Sequence, residues 1–304
     1  MQAETHIAVL KGGWSPEREI SLVSGAACAR ALATLGYRVS EVDVGRDIAA
    51  RLAELRPDLC FNALHGVGGE DGEIQGLLEV MEIPYTHSGV CASALAMDKY
   101  RAKRLFAAAG LPVAADMLLE KDDADGTHPM PPPYVAKPVN QGSSVGVEIV
   151  PEGANTPPAC ITAEGWAFEG SALVEDYIAG RELTCCVIGD SALDVMEIIP
   201  AAGFYDWQAK YAEGGSRHDV PADIPDALAE EARRYSETAH RVLGCRGATR
   251  TDFRYDPDGG LVVLEVNTQP GMTPVSLVPE MAARRGMDFN ALVKWMVEDA
   301  SCRR

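Results

Sequence analysis

The stretch Leu261-Val-Val-Leu-Glu-Val-Asn-Thr-Gln-Pro-Gly-Met-Thr273 decides how this chain of 304 residues is read. It opens as a short apolar run, the pattern of a strand buried within a sheet. Glu265 and Asn267 stand two residues apart in that run, so their side chains leave the same face. A carboxylate and an amide on a buried face need partners, because burying an unpaired charge is very costly. Pro270-Gly271 then breaks the strand and exposes backbone N–H groups just beyond the two polar side chains.

Immediately upstream, Ala248-Thr-Arg-Thr-Asp-Phe-Arg-Tyr255 reads as a second strand with Arg250 and Asp252 on one face. Asp256-Pro-Asp-Gly-Gly260 between the two runs is a turn signal. Pairing Asp256 with Leu261 across the loop sets Asp252 opposite Glu265 and Arg250 opposite Asn267. Like charges directly opposite each other on paired strands destabilise the pair, so without metal the two carboxylates are expected to repel. Asp252, Glu265 and Asn267 together supply hard oxygen ligands beside a cation, the set that Mg²⁺ on a polyphosphate requires. The plain alternative, a solvated hairpin with one Asp–Arg pair, fits poorly with the apolar flanks.

Working outward, Tyr134-Val-Ala-Lys-Pro138 is a strand with one lysine among apolar residues. A lysine in such a place is rarely there for packing, and contact with phosphate is a frequent reason. Gln141-Gly-Ser-Ser-Val-Gly146 follows as a glycine-rich turn, readable as an anion nest or as an ordinary hairpin turn. Ala172–Tyr177 and Gly180–Ile188 read as strands. Glu175 on the first suits an adenine amino group or a ribose hydroxyl as an acceptor, and Glu182 opens the second. Residues 151–170 have no clean period. The aromatic, charged segment 204–220 has the character of a lid, with Gly214-Gly215 within it. Ala227–Leu243 and Ala291–Glu298 read as helices.

The N-terminal part begins strand His6–Leu10, helix from Ser15 as N-cap to about Leu35, strand Val39–Val44, helix Ile48–Leu55, strand Leu59–Leu64. This βαβαβ order implies a doubly wound parallel sheet whose functional loops lie at the strand C-terminal ends. Helix Ile74–Met81, a fourth strand Ile83–Thr86 and one long helix from Val90 to Ala109, carrying Lys99, come next; Val113–Leu119 is read as a strand. Glu17 in the first turn serves either the helix dipole or an ammonium group. His65 is either a turn-capping histidine or part of a site. The first βα turn lacks dinucleotide-binding spacing, and the chain contains no Walker A motif.

Composition is ordinary for a soluble globular protein, at 47% hydrophobic and 24% charged residues, with length enough for two or three cores. A formal net charge of −18 argues against a nucleic-acid or anionic membrane partner. The N-terminus runs straight into a strand and no apolar stretch reaches membrane-spanning length, so the expected compartment is the cytoplasm. The eight cysteines show no C-x-x-C spacing and are expected to be reduced.

Six stretches in order carry a resemblance. They are Gly12-Gly-Trp-Ser-Pro-Glu-Arg-Glu-Ile-Ser-Leu22, His65-Gly-Val-Gly-Gly-Glu-Asp-Gly72, Met97-Asp-Lys99, Lys137-Pro138 with Gly142-Ser-Ser-Val-Gly146, Ala209-Lys-Tyr211 and Glu265-Val-Asn-Thr-Gln-Pro-Gly-Met-Thr273. Over nearly its whole length the chain resembles the D-alanine–D-alanine ligases of the ATP-grasp superfamily. The resemblance implies an α/β ATP-grasp fold with α+β lobes behind the N-terminal parallel-sheet domain. We divide it as residues 1–96 for substrate binding, 97–182 for the central lobe and 183–304 for the C-terminal lobe with the metal and oxyanion sites.

By position, the resemblance makes Asp252, Glu265 and Asn267 the ligands of two Mg²⁺ (or Mn²⁺) ions on ATP. It makes Lys99, Lys137 and, from the lid, Lys210 the phosphate lysines, and Glu175 and Glu182 the readers of adenine and ribose. Glu17 resembles the anchor for the ammonium of the first D-alanine, with His65 beside its carboxylate. Arg250 and the Gly271 N–H resemble an oxyanion hole, and Ser276 the contact for the second carboxylate. Ser143 and Tyr211 resemble the pair that ties the phosphate loop and lid to Glu17. The implied reaction forms an acyl phosphate from the first D-alanine and ATP, and the second D-alanine's amine then displaces phosphate, yielding a peptidoglycan precursor. A homodimer is implied as well. The segment 151–170 and Thr251 depart from the usual pattern. Rival readings are another ATP-grasp carboxylate–amine ligase, a D-alanine–D-lactate ligase, disfavoured by Tyr211, and a catalytically silent nucleotide-binding protein, disfavoured by the intact charged positions.

Overall fold

The computed structural model describes residues 4–143, 145–201, 214–273 and 275–303. The chain opens with β1 (His6–Gly12), α1 (Arg18–Thr34), β2 (Arg38–Val44), α2 (Ile48–Leu55) and β3 (Leu59–Asn62). The three strands are parallel in the order β2-β1-β3, as alternating strands and helices require. The expected fourth strand shrinks to a single bridge: Tyr85 pairs with Cys60 on one side and with Ser301 on the other. Ser15 is also not the cap of α1. Its hydroxyl accepts from the Glu17 N–H at 3.2 Å and donates to the His65 carbonyl at 2.6 Å, and Glu17 takes the N-cap position.

After α3 (Glu73–Val80), the long helix read between Val90 and Ala109 proves to be two, α4 (Val90–Met97) and α5 (Lys99–Ala108). Asp98 breaks it. Its backbone is extended, and its carboxylate caps α5 by accepting from the Arg101 N–H at 2.9 Å. Without that break the Lys99 N–H would bond within a continuing helix. With it, the Lys99 N–H donates to the Val139 carbonyl at 3.1 Å, which anchors α5 beside the glycine-rich turn.

The strands β4 (Asp116–Leu119), β5 (Tyr134–Pro138), β6 (Glu148–Val150) and β7 (Ala172–Asp176) form an antiparallel sheet in the order β4-β7-β5-β6. The stretch 151–170 carries one 3-10 turn, Ala159–Ile161, which sends Ile161 into the core with Tyr134 and Val174. A second antiparallel sheet has the order β10-β9-β8-β11-β12, from β8 (Arg181–Ile188), β9 (Ser191–Pro200), β10 (Ser216–Asp219), β11 (Ala248–Asp256) and β12 (Gly260–Asn267). Part of the segment read as a lid is thus strand, at 216–219; Lys210 and Tyr211 lie outside the described residues. The helices α6 (Asp226–Leu243), α7 (Leu277–Arg284) and α8 (Phe289–Asp299) complete the described chain.

Packing crosses these sheets. Phe106 of α5 shares a core with Leu183, Phe253 and Ala239. Leu292 and Met296 of α8 pack with Ile7 and Phe61 of the parallel sheet and with Cys186 of β8. The eight cysteines are all unpaired. Thr251, one of the departures noted above, faces the interior with a buried hydroxyl that has no hydrogen-bond partner among the described residues.

Candidate active site

The β11–β12 hairpin sets Asp252 opposite Glu265 and Arg250 opposite Asn267, as expected, but by another route. The loop is one residue shorter than the expected pairing, with Asp256 opposite Gly260. An irregularity beside Asp252 then skips Leu264, since Phe253 pairs with Val263 while Asp252 pairs with Glu265. A bulge of this kind shifts the register by one residue and re-aims the side chains beyond it. The four polar groups therefore reach the cleft because two departures cancel.

Two clefts, each open to solvent, lie beside this hairpin. The first is lined by Glu17, His65, Glu70, Ser143, Arg250, Asn267, Gly271 and Ser276 among others. The second is lined by Lys137, Glu175, Glu182, Asp252 and Arg254 with the apolar Val135, Val147, Ile149 and Ile178. Lys99, Gly142 and Glu265 line both. One cleft is polar and small-featured, the other has apolar walls and a charged end, and they meet at a lysine and a carboxylate.

In the first cleft Ser143 donates to the Glu17 carboxylate, joining the glycine-rich turn to the start of α1. Gly66 makes room for this: its φ is +70°, and a Cβ there would stand 2.5 Å from Glu17 Oε2. Ser276 Oγ accepts from the Thr273 N–H at 2.9 Å and lies where a Cβ on Gly271 would meet it at 2.8 Å. His65 sits between Glu70, 3.1 Å from its Nδ1, and Ser24, 3.1 Å from its Nε2. Ser24 also accepts from the Met272 N–H at 3.3 Å. Sequence reading passed over Glu70 and Ser24, although both stand in or beside the quoted motifs.

Burial alone would lower the His65 pKa, but the hydrogen bond and charge of Glu70, with Glu17 behind, outweigh it and raise it above the ordinary 6.5. A raised folded-state value contributes stability below about pH 6.5 that is lost as pH rises through that value. Glu70→Gln removes the main cause. Thermal melts between about pH 6 and 8 should show a smaller loss of stability for the variant than for the wild type. Parallel melting profiles would show that the pairing contributes nothing.

At the junction, Lys99 Nζ donates to the Gln141 carbonyl at 2.6 Å and lies 3.2 Å from Glu265. Both oxygens of Asp252 accept hydrogen bonds. Its Oδ1 accepts from Arg250 Nε at 2.8 Å and from Thr184 Oγ1 at 2.7 Å, and its Oδ2 from Arg250 Nη2 at 2.7 Å. The expected repulsion between Asp252 and Glu265 is therefore corrected. Each carboxylate has its own cation, Arg250 for one and Lys99 for the other, and opposite charges at contact outweigh like charges across the ladder.

In the second cleft Glu182 lies 3.4 Å from Arg254. Glu175, read from sequence as an available acceptor, has both oxygens occupied: Oε1 by Lys137 and Oε2 by Lys103 at 2.5 Å. Burial pushes the Glu175 carboxyl up, and the two lysines more than offset this and hold it below the ordinary carboxylate range. Lys103 was not recognised in the sequence. Its signal was present, since it stands one helical turn after Lys99 on the same face of α5.

Asp252, Glu265 and Asn267 are the residues that could hold a divalent ion. No three His, Cys, Asp or Glu side chains converge as a metal site among the described residues. The two carboxylates and one amide are all hard oxygen ligands, adjacent on one face of paired strands and open to the clefts. That set fits Mg²⁺ when phosphate oxygens complete the shell, as hydrated Mg²⁺ normally binds through only one or two carboxylates.

Comparison with known proteins shows the family and the fold. The family model described as the D-ala D-ala ligase C-terminus matches residues 105–298, and that of the D-ala D-ala ligase N-terminus matches residues 45–88. A D-alanine–D-alanine ligase of Sinorhizobium fredii is 58% identical over 302 residues, covering 98% of this chain and 99% of its own. One from Methylobacterium radiotolerans is 59% identical over 304 residues, with the same coverage. The crystal structure of a D-alanine–D-alanine ligase from Bacillus anthracis complexed with ATP superposes with a TM-score of 0.80 at 31% identity, over 97% of this chain and 96% of that one. The fold is thus an ATP-grasp fold with an N-terminal parallel sheet. Matched end to end by such relatives and by both family models in order, the chain belongs to the D-alanine–D-alanine ligase family.

Proposed function

We propose that the protein joins two D-alanine molecules into D-alanyl-D-alanine, a peptidoglycan precursor, with ATP converted to ADP and phosphate. The observation that carries this reading is the junction of the two clefts at Lys99, Gly142 and Glu265, where a γ-phosphate in one would meet a carboxylate in the other. Relatives named for this activity span the whole chain.

In this reading Glu17 anchors the first D-alanine by its ammonium group, and His65 stands beside its carboxylate. Lys99 and Lys137 neutralise phosphate charge as that carboxylate attacks the γ-phosphorus, forming the acyl phosphate as the bond to ADP breaks. Arg250 and the Gly271 N–H stabilise the oxyanion formed when the second amine adds to the activated carbonyl. Ser276 holds the second carboxylate, and phosphate leaves. Glu182 lines the nucleotide cleft as a reader of ribose, and Glu175, whose two oxygens are taken by Lys137 and Lys103, lines it without a free oxygen for the base. Lys210 and Tyr211 act from the lid, which keeps water from the acyl phosphate. Two Mg²⁺ ions, held by Asp252, Glu265 and Asn267, would supply further charge neutralisation on the phosphates.

The division at residues 96 and 182 belongs to the same proposal, as do a homodimer and a cytoplasmic location. No helix among the described residues is long and apolar enough to cross a membrane. The deciding assay incubates the protein with Mg²⁺, ATP and D-alanine, and measures ADP and dipeptide. Equal amounts of each are expected, with no dipeptide from L-alanine. ADP formed without dipeptide, or no D-alanine-dependent turnover, overturns the proposal.

A further inference from the structure

Lys103 is the least expected charge in the molecule. It lies on α5 with 1% of its surface exposed and lines neither cleft, yet it lies 2.5 Å from Glu175 and 2.7 Å from Asp116. Asp116 also pairs with Arg104, at 2.5 Å, whose side chain is 47% exposed. Glu175 in turn binds Lys137 with its other oxygen. The group therefore holds two carboxylates, Glu175 and Asp116, and three cations, Lys103, Lys137 and Arg104.

We infer that Lys103 is a positioning residue that holds Glu175 so that Lys137 is free to turn from that carboxylate to a nucleotide phosphate. This rests on the proposed function. In the structure Lys137 is engaged with Glu175, and a phosphate that draws its ammonium into the cleft competes with that carboxylate for it. A buried carboxylate left alone is costly, and it would hold its only cation tightly. With Lys103 in place, departure of Lys137 leaves two carboxylates opposite two cations. Without Lys103 the same departure leaves Glu175 with none, because Arg104 reaches Asp116 and not Glu175. The surplus cation is thus the one that faces the cleft, and the cation that makes it surplus never touches ligand.

The test compares wild type, Lys103→Met, Glu175→Gln and the double variant by calorimetric titration with Mg²⁺-ADP and with adenosine. Lys103→Met should bind ADP about 10- to 100-fold more weakly, the range covered by loss of one charge-assisted hydrogen bond. Its adenosine affinity should stay within about twofold, because adenosine has no phosphate to take Lys137. In Lys103→Met/Glu175→Gln the carboxylate that holds Lys137 is gone, so its ADP affinity should equal that of Glu175→Gln alone. Equal losses for ADP and adenosine would mean that Lys103 merely supports the pocket, and overturn the inference. So would a further loss in the double variant, which would mean that Lys103 attracts phosphate directly. Should Lys103→Met not fold, Glu175→Gln and the double variant decide by the same comparison. A wild-type protein that binds adenosine and not ADP overturns the functional reading itself.

Discussion

Asp252→Asn is expected to lower ligation by about 100- to 1,000-fold, the range seen when one group that stabilises developing charge is removed. It is also expected to lower the melting temperature of the protein without nucleotide. The opposed carboxylates of the hairpin, taken alone, predict the reverse, since neutralising one of two facing charges should help. The structure sets the sign, because Asp252 receives both guanidinium nitrogens of Arg250 and the hydroxyl of Thr184. Both side chains are largely buried, 13% and 11% exposed. Removing one partner of a buried pair costs about 3–5 kcal/mol, and the oxygen that asparagine keeps reduces this to about 2 kcal/mol. Melts with and without Mg²⁺-ADP separate the two effects. A variant that melts at or above the wild-type temperature without ligand would show that charge relief outweighs the Arg250 pair. One that retains a tenth or more of wild-type turnover would remove Asp252 from the metal site.

Glu17→Gln should raise the concentration of D-alanine needed at the first site by about 10- to 100-fold, as expected for loss of an ionic hydrogen bond to an ammonium group. The fold should survive, because glutamine still offers an oxygen to Ser143, which donates to Glu17 in the structure. If Glu17 served only the dipole of α1, the change would cost about 0.3–1 kcal/mol of stability and leave substrate kinetics untouched. Initial rates at varied D-alanine, with a melting curve on the same sample, discriminate the two. Normal kinetics with a small loss of stability would restore the helix-dipole role.

What the sequence determined by itself is local or motif-bound. The βαβαβ opening followed from short apolar strands alternating with helices read from start and stop signals, all of them local in the chain. The facing of Asp252 and Glu265 followed from two strands and a turn, short enough for side-chain alternation to decide the face, although an early turn and a bulge both had to intervene. Legible too were most of the residues that line the two clefts, because their motifs stand in family order. The tertiary structure alone decided which charges neutralise which. The separation of 72 positions from Lys103 to Glu175, like that of 126 from Glu17 to Ser143, carries no period that reveals a contact. A buried ion pair depends on where separate sheets and helices are packed, and its energy on the dielectric that this packing creates. For the same reason the break at Asp98 was hidden. A helical pattern runs through it unchanged, and only the anchoring of Lys99 on Val139 shows why the chain stops and restarts there.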